Sequence, residues 1–395
     1  MTHMIVSGVK DGVECLLVVD GENKSVHGSF KDSQPSGAAA TCLISGGSSY
    51  SGLGSQGDVL LTAQKNNAAI HVHQWNKPQT HVLCRIQEVL ASLACDYTGT
   101  FLIGGTKKGW LYCWEVGTGK LLNFWQGHFK TVRRIYFTKA KSPILITASE
   151  DGIAKAWDMA DVLTASSASS SSSNHHGSIS VQPFKVWSHH SQAITDVAVA
   201  SLGITTRILT CALDRSLVVQ DLHITKKICS IYFPEPLESI TCTASGELVF
   251  LGASNGDIYV VSLSLTTILD ASTSEDSKKY VLLGHSRAVI TMALSNDMKT
   301  LMSGSEDGTI RIWDVDTMQC LNVLHTTRGV AVKTLIAVKK AEVDENTTQS
   351  PFITPVGHIR KFADGDDKFS GSIPPVLLCD SRNNPCGAPK KRKLM

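Results

Sequence analysis

A histidine, a serine and an aspartate recur at matched spacing in two places: His128, Ser149 and Asp151, then His285, Ser305 and Asp307. In contact, three such side chains are the working parts of a nucleophilic hydrolase. The serine attacks, the histidine takes its proton and the aspartate orients the ring. A tryptophan closes each set, Trp157 in the first and Trp313 in the second. A catalyst needs one such set, whereas a scaffold repeats its ties, so the duplication points to structure. The two sets therefore read as His–Ser–Asp–Trp relays. Buried hydrogen bonds of this kind tie turns to a core when every member is satisfied.

The elements that must carry these residues are legible around the second set. Gly284 to Asp314 reads GHSRAVITMALSNDMKTLMSGSEDGTIRIWD. Three apolar runs, VITMAL, TLMSGS and TIRIWD, are separated by the polar turns SNDMK and EDG, which predicts three short strands. His285 falls on the turn entering the first strand and Asp307 on the turn between the second and third. A glycine–histidine opening and a tryptophan–aspartate close mark one blade of a β-propeller, about 40–45 residues long. The same pattern runs from Gly127-His128 to Trp157-Asp158.

With the closing tryptophan as a ruler, the slot recurs at Trp75, Trp114, Trp157, Gln220, Ser262 and Trp313. Two gaps are long, and each holds a visible insert. The first is the low-complexity tract TASSASSSSSNHHGS and the second is LTTILDASTSEDSKK. Both fall after a third strand and before a fourth, near 164–182 and 264–279, so both should leave the face opposite the His and Asp turns. Residues 4–30 read as a blade lacking its first strand, and Gly329 to Val338 as a first strand lacking its blade. Pairing the two gives an all-β fold, a seven-bladed WD-repeat propeller over residues 1–338. Such closure removes exposed sheet edges. Residues 339–395 are polar and rich in Pro, Gly and Asp, which predicts a mostly disordered tail.

Bulk properties narrow the function classes. The 395 residues carry a net charge of +2, so no global charge argues for nucleic acid. No run of 18 apolar residues exists and no membrane span is expected. The N-terminal stretch lacks the pattern of a secretory leader. The 11 cysteines form no CxxC pair and lie mostly in strand-like runs, as buried thiols of a reducing compartment do. His71, His73, His175, His176, His189 and His190 lack the cysteine or carboxylate spacing of a zinc site. One of His189 and His190 fills the relay slot before ITDVAV. The glycine-rich GGSSYSGLGSQG (46–57) lacks the GK[ST] ending of a phosphate loop and leads into a strand. The residues point to no enzyme, no cofactor and no metal.

Two charged features remain. Pro389 is followed by Lys390, Lys391, Arg392 and Lys393, a nuclear-import signal on an extended tail. Lys107, Lys108, Lys130, Arg215 and Arg287 fall on corresponding turns of different blades, so the symmetry of a propeller gathers them on one face. A positive ring there, around the channel mouth, would suit RNA phosphate or an acidic protein surface.

The run VWSHHSQAITDVAV (186–199), followed by TCALDRSLVVQDL, resembles the fourth repeat of the WD repeat-containing protein 18 family and of its plant members called ROOT INITIATION DEFECTIVE. The double histidine after Trp-Ser is the specific part. The last full repeat and the incomplete N-terminal blade fit as well, and the resemblance covers roughly residues 1–338. It implies a non-enzymatic scaffold of a nuclear Rix-type complex on the maturing 60S (large) ribosomal subunit. There it implies support for removal of the second internal transcribed spacer of rRNA. Implied partners are a helical-repeat Rix-type subunit, the midasin ATPase and the pre-60S particle, with rRNA contacted directly or indirectly. Animal members end in a heptad-bearing helix, and no heptads follow Lys339 here. Two rival readings have different partners: a substrate receptor of a cullin ubiquitin ligase, and a chromatin or transcription adaptor. The ligase receptors often carry an arginine after the closing Trp-Asp, where this chain has Met159-Ala160 and Val315-Asp316.

Overall fold

A computed structural model of the chain describes residues 2–10, 13–20, 26–30, 33, 35, 39–44, 59–74, 79–138, 143–168, 181–202, 205–224, 227–263, 279–326 and 329–339. Its short strands form seven four-stranded antiparallel sheets, each a meander in chain order except at the closure. Sheets stacked around a ring bury both faces, so their middle strands read as unbroken apolar runs. Val59–Ala63 is buried at every residue, whereas the outer strand Val82–Arg85 is half exposed. The seven inner strands are Leu335–Lys339, Thr41–Ile44, Leu90–Cys95, Val132–Phe137, Ile194–Leu202, Leu237–Cys242 and Val289–Leu294. They define blades 1 to 7 in that order and line a central channel.

Aromatic packing holds neighbouring blades together. Trp125, on the outer strand of blade 3, meets Trp157 of blade 4 edge-on with ring centroids 5.6 Å apart. Both are essentially buried, within a cluster that includes Ile103, Leu111, Val132 and Leu145.

Blade 1 is assembled from both ends of the described chain. Leu335–Lys339 pairs with Thr2–Lys10, which pairs with Val13–Asp20, which pairs with Val26–Phe30. The register sets Ile5 opposite Ile336 and Val6 opposite Leu335. The C-terminal strand is shorter than the expected run from Gly329. Residues 330–334 instead approach along blade 7, where the Val332 amide donates to the Ser305 carbonyl at 3.0 Å. An amide used that way is not available to a blade 1 ladder.

Strand pairing also moves two of the slots. In blade 4 the slot residue Trp157 lies opposite Leu145, and in blade 7 Trp313 lies opposite Leu301. The equivalent pairs are Leu60 with His73 in blade 2 and Val249 with Val261 in blade 6. The slots are therefore His73, not Trp75, and Val261, not Ser262.

The first insert begins as the last turns of a helix rather than as irregular chain. Asp158 Oδ1 caps the Ala160 amide at 2.9 Å and starts a helix, Met159–Ala168. Met159 and Val162 of that helix are buried against blade 3, and the Val162 carbonyl accepts from Asn123 Nδ2 at 2.8 Å. The stretch from Thr164 to Ala168 is thus helical. The remaining insert residues 169–180, the second insert at 264–278, the glycine-rich loop and the tail with Lys390, Lys391, Arg392 and Lys393 lie outside the described residues.

Candidate interaction face

The relays lie where outer strands cross over to the next blade. His128 Nδ1 donates to Asp151 Oδ2 at 3.0 Å, and His128 Nε2 accepts from the Thr147 hydroxyl at 2.8 Å. The Trp157 indole donates to that same oxygen at 3.0 Å. Blade 7 repeats the chain, with His285 on Asp307 at 3.2 Å, on Ser303 at 2.8 Å, and Trp313 on Ser303 at 2.9 Å. The hydroxyl of the relay is therefore Thr147 or Ser303, not Ser149 or Ser305. Those two serines lie one pleat further on and serve the turn. Ser149 Oγ donates to the Lys130 carbonyl and accepts the Asp151 amide, and Ser305 Oγ does the same for Arg287 and Asp307. Blade 5 adds a third relay on His190, with Asp214 at 3.1 Å and Thr210 at 2.8 Å, and buried Gln220 in the tryptophan slot.

Burial keeps these histidines neutral. Desolvation lowers the pKa of His128, His190 and His285 below the ordinary 6.5, although the carboxylate partners pull the other way. Burial lowers His73 further, to about 4, with His71 adding to it. For Asp307 burial pushes upward, but the Thr309 hydroxyl and the Ser286 and Thr309 amides outweigh it and hold the group at about 2. Both kinds of group are shifted downward, so their effects share a sign. Below pH 6.5 the unfolded chain binds protons that the folded histidines refuse, and below about 4 it binds protons that the folded aspartates refuse. Stability should be flat from pH 8 to 7, fall as pH drops through 6.5, and fall again below 4. Urea titrations across that range measure it, and a protein more stable at pH 5 than at pH 7.5 would mean charged histidines in the fold.

The relays hold one face of the ring in shape, and the turns there carry the expected basic residues. Lys107, Lys108, Lys130, Arg215 and Arg287 are all exposed on it. Lys108 is paired with Glu88 at 2.8 Å, and Arg215, at a φ of 65°, directs a guanidinium N–H to the Pro234 carbonyl at 3.5 Å.

The expected ring around the channel mouth is not uniformly positive. Of the five, only Lys107 reaches the lining of the mouth, a cavity of about 340 Å³. Arg133, Lys333, Glu150 and Glu238 also line it, and Arg133 bonds Glu150 at 3.0 Å. Burial raises the Glu238 pKa against the pull of Arg133, with Glu306 adding to the rise. The lining has a structural origin. Inner strands of blades 3 to 7 each carry a bulge near their start, at Ala91, Arg133, Thr195, Glu238 and Ile290, and these five residues point into the mouth. A bulge re-aims a side chain in this way.

The next residue along then reaches the neighbouring blade. Ser92 donates to the Val132 carbonyl at 2.8 Å and Ser239 to the Val289 carbonyl at 2.7 Å. Asp196 accepts from Arg134 Nε at 2.5 Å and Nη2 at 3.1 Å, and from the Ile240 amide at 3.2 Å, joining blades 4, 5 and 6. Sequence reading misses Arg133, Arg134, Asp196 and Glu238. Their one signal is position, one or two residues after the first apolar residue of an inner strand.

The WD domain, G-beta repeat family matches residues 276–314, the outer strand of blade 6 and most of blade 7. Protein ROOT INITIATION DEFECTIVE 3 of Arabidopsis thaliana is 28% identical over 273 residues, 68% of this chain and 58% of its own length. WD repeat-containing protein 18 of Danio rerio is 28% identical over 270 residues, 67% of this chain and 59% of its own. Pre-rRNA-processing protein IPI3 of Yarrowia lipolytica is 30% identical over 273 residues, 66% and 60% respectively. This chain is similar to WD repeat-containing protein 18 over two thirds of its length. It spans 58–60% of the length of these three relatives. The computationally designed Ika8 protein overlays with a TM-score of 0.57 at 20% identity, covering 85% of this chain and 90% of its own, which shows the fold alone. In the segment that carries the resemblance to WD repeat-containing protein 18, the two adjacent histidines differ in role. His190 is in the relay, and His189 stands beside it without a relay bond.

Proposed function

We propose that this propeller is a non-enzymatic scaffold in pre-rRNA processing during ribosome biogenesis. The observation that carries the reading is similarity over two thirds of the chain to relatives named for WD repeats and for pre-rRNA processing. The geometry supports a scaffold over a catalyst. Each relay histidine meets a buried hydroxyl that also holds a neighbouring group, so none is presented to a substrate. At finer grain, the scaffold is a subunit of a nuclear Rix-type complex acting on the 60S precursor and its second internal transcribed spacer. The helical-repeat Rix-type subunit and the midasin ATPase are its partners, and Lys390 to Lys393 direct nuclear entry. Affinity purification with RNA sequencing tests this directly. Recovery of a ligase adaptor or of histones in place of pre-ribosomal RNA would replace the reading with one of its rivals.

The exposed turns give the proposal a second handle. Lys107, Lys108 and Arg215 changed together to Glu should leave folding intact, because exposed charges contribute about 0–1 kcal/mol. Association with large-subunit precursors should weaken, and wild-type association should fall as salt rises. Sedimentation at two salt concentrations is the measurement. Unchanged co-sedimentation of the folded triple variant at both would move recruitment to another surface.

A further inference from the structure

We propose that the junction of blades 3 and 4 binds single-stranded RNA, with a base stacked on Phe129 and phosphates held by Lys107 and Lys130. Phe129 is 79% exposed, more than any other large apolar side chain among the described residues. Its backbone is nevertheless fixed. The amide donates to Asp151 Oδ2 at 3.2 Å, inside the relay of His128. In the two sister turns the same bond comes from Ser191 to Asp214 and from Ser286 to Asp307, each at 3.0 Å. The relay thus uses only the amide, and a serine satisfies it. An aromatic ring at this position is surplus to folding and is held out in water on a rigid turn.

The lysines gather beside it because two turns touch. Gly109 accepts the Gly127 and His128 amides at 3.1 and 3.0 Å. At its φ of 88°, an added Cβ would lie 2.0 Å from the His128 carbonyl oxygen, so this approach requires glycine. Lys107 and Lys108 precede Gly109, and Lys130 follows Phe129. Glu88 pairs with Lys108, leaving Lys107, which also lines the channel mouth, and Lys130 as the cations on the two turns that meet at Gly109. An aromatic ring flanked by cations matches unpaired nucleotides, which offer a flat π-face and a phosphate on each unit. A protein contact centred on Phe129 would need apolar neighbours to exclude water. The turns at 107–109 and 127–131 hold no second large apolar side chain. A duplex fits poorly, since its bases are already stacked.

The proposal deepens the reading of the basic face, but its test uses the purified full-length chain and a fluorescent oligouridine, with no ribosomal particle. Fluorescence anisotropy should show salt-dependent binding to the single strand and weaker binding to a duplex of equal length. Phe129→Ser should weaken single-strand binding about tenfold, within the range for removing one stacked base, with an unchanged melting curve. Phe129→Trp should retain binding. Lys107→Gln with Lys130→Gln should flatten the salt dependence by about 0.7 for each phosphate no longer neutralised, whereas Phe129→Ser should not. Wild-type affinity in Phe129→Ser, or equal binding of duplex and single strand, would overturn the proposal. So would loss of binding to an acidic peptide, but not to RNA, in the same variant, which would assign the junction to a protein. A protein that binds oligouridine through Phe129 yet never enters pre-ribosomes would sink the pre-rRNA-processing reading alone.

Discussion

Replacing Trp313 with alanine should destabilise the protein by about 3–5 kcal/mol, the usual cost of deleting a large core aromatic. Trp313 is 3% exposed, packed with Phe250, Ile258 and Leu301 between blades 6 and 7. The substitution also removes the indole that donates to Ser303, so the relay loses a member as the cavity opens. Trp313→Phe separates the two terms. It keeps most of the volume and gives up the N–H, so it should cost much less, near the 0.5–1.5 kcal/mol of one net hydrogen bond plus the small difference in ring size. The chain itself shows that a blade can close without tryptophan, since His73, Gln220 and Val261 hold the slot elsewhere. Packing, more than the indole bond, should therefore dominate at Trp313. Urea titration of the three proteins decides it. If Trp313→Ala were as stable as wild type but defective in partner recovery, Trp313 would be a contact residue and the buried assignment would be wrong.

Deleting residues 1–30 should abolish the soluble, folded monomer. The deletion removes the three strands that Leu335–Lys339 needs to make a blade. It strips the ladder that pairs Thr2 with Lys339 through Val6 with Leu335. It also discards Ile5, Leu16 and Phe30, which are buried together with Leu60 of blade 2. The ring would be left with an open gap between blades 7 and 2 and with an unpaired inner strand at its edge. Exposed edges of that kind pair with other chains. Size-exclusion chromatography and a thermal melt of the truncated chain give the answer. A monomer with the wild-type melting curve would show that the ring is stable without its closing blade.

What the sequence determined by itself is the part that depends on neighbours in the chain. Apolar runs of strand length, turns such as Glu306-Asp307-Gly308, an N-terminal blade without its first strand and a C-terminal strand without its blade are local patterns. They were enough for seven blades and for their closure. The exposure of Lys107, Lys108, Lys130, Arg215 and Arg287 was legible for the same reason, but the five do not share one kind of turn: Lys107, Lys108 and Arg215 lie between second and third strands, whereas Lys130 and Arg287 lie on crossovers between blades.

Tertiary structure decided which of two candidates on a strand does the work. Thr147 and Ser149 are two residues apart, as are Ser303 and Ser305, and in a strand such residues point to the same side. Periodicity cannot separate them. Only the cross-strand register, with Trp157 opposite Leu145, brings the indole and the histidine onto Thr147. The two-residue ambiguity recurs between His73 and Trp75. Contacts between blades were out of reach altogether. Arg134 and Asp196 belong to different sheets, and neither residue type predicts the other across that separation. Glu88 on Lys108 and the mixed charge of the channel mouth have the same cause. They arise where curved sheets converge, and convergence is a property of the closed ring rather than of any one segment.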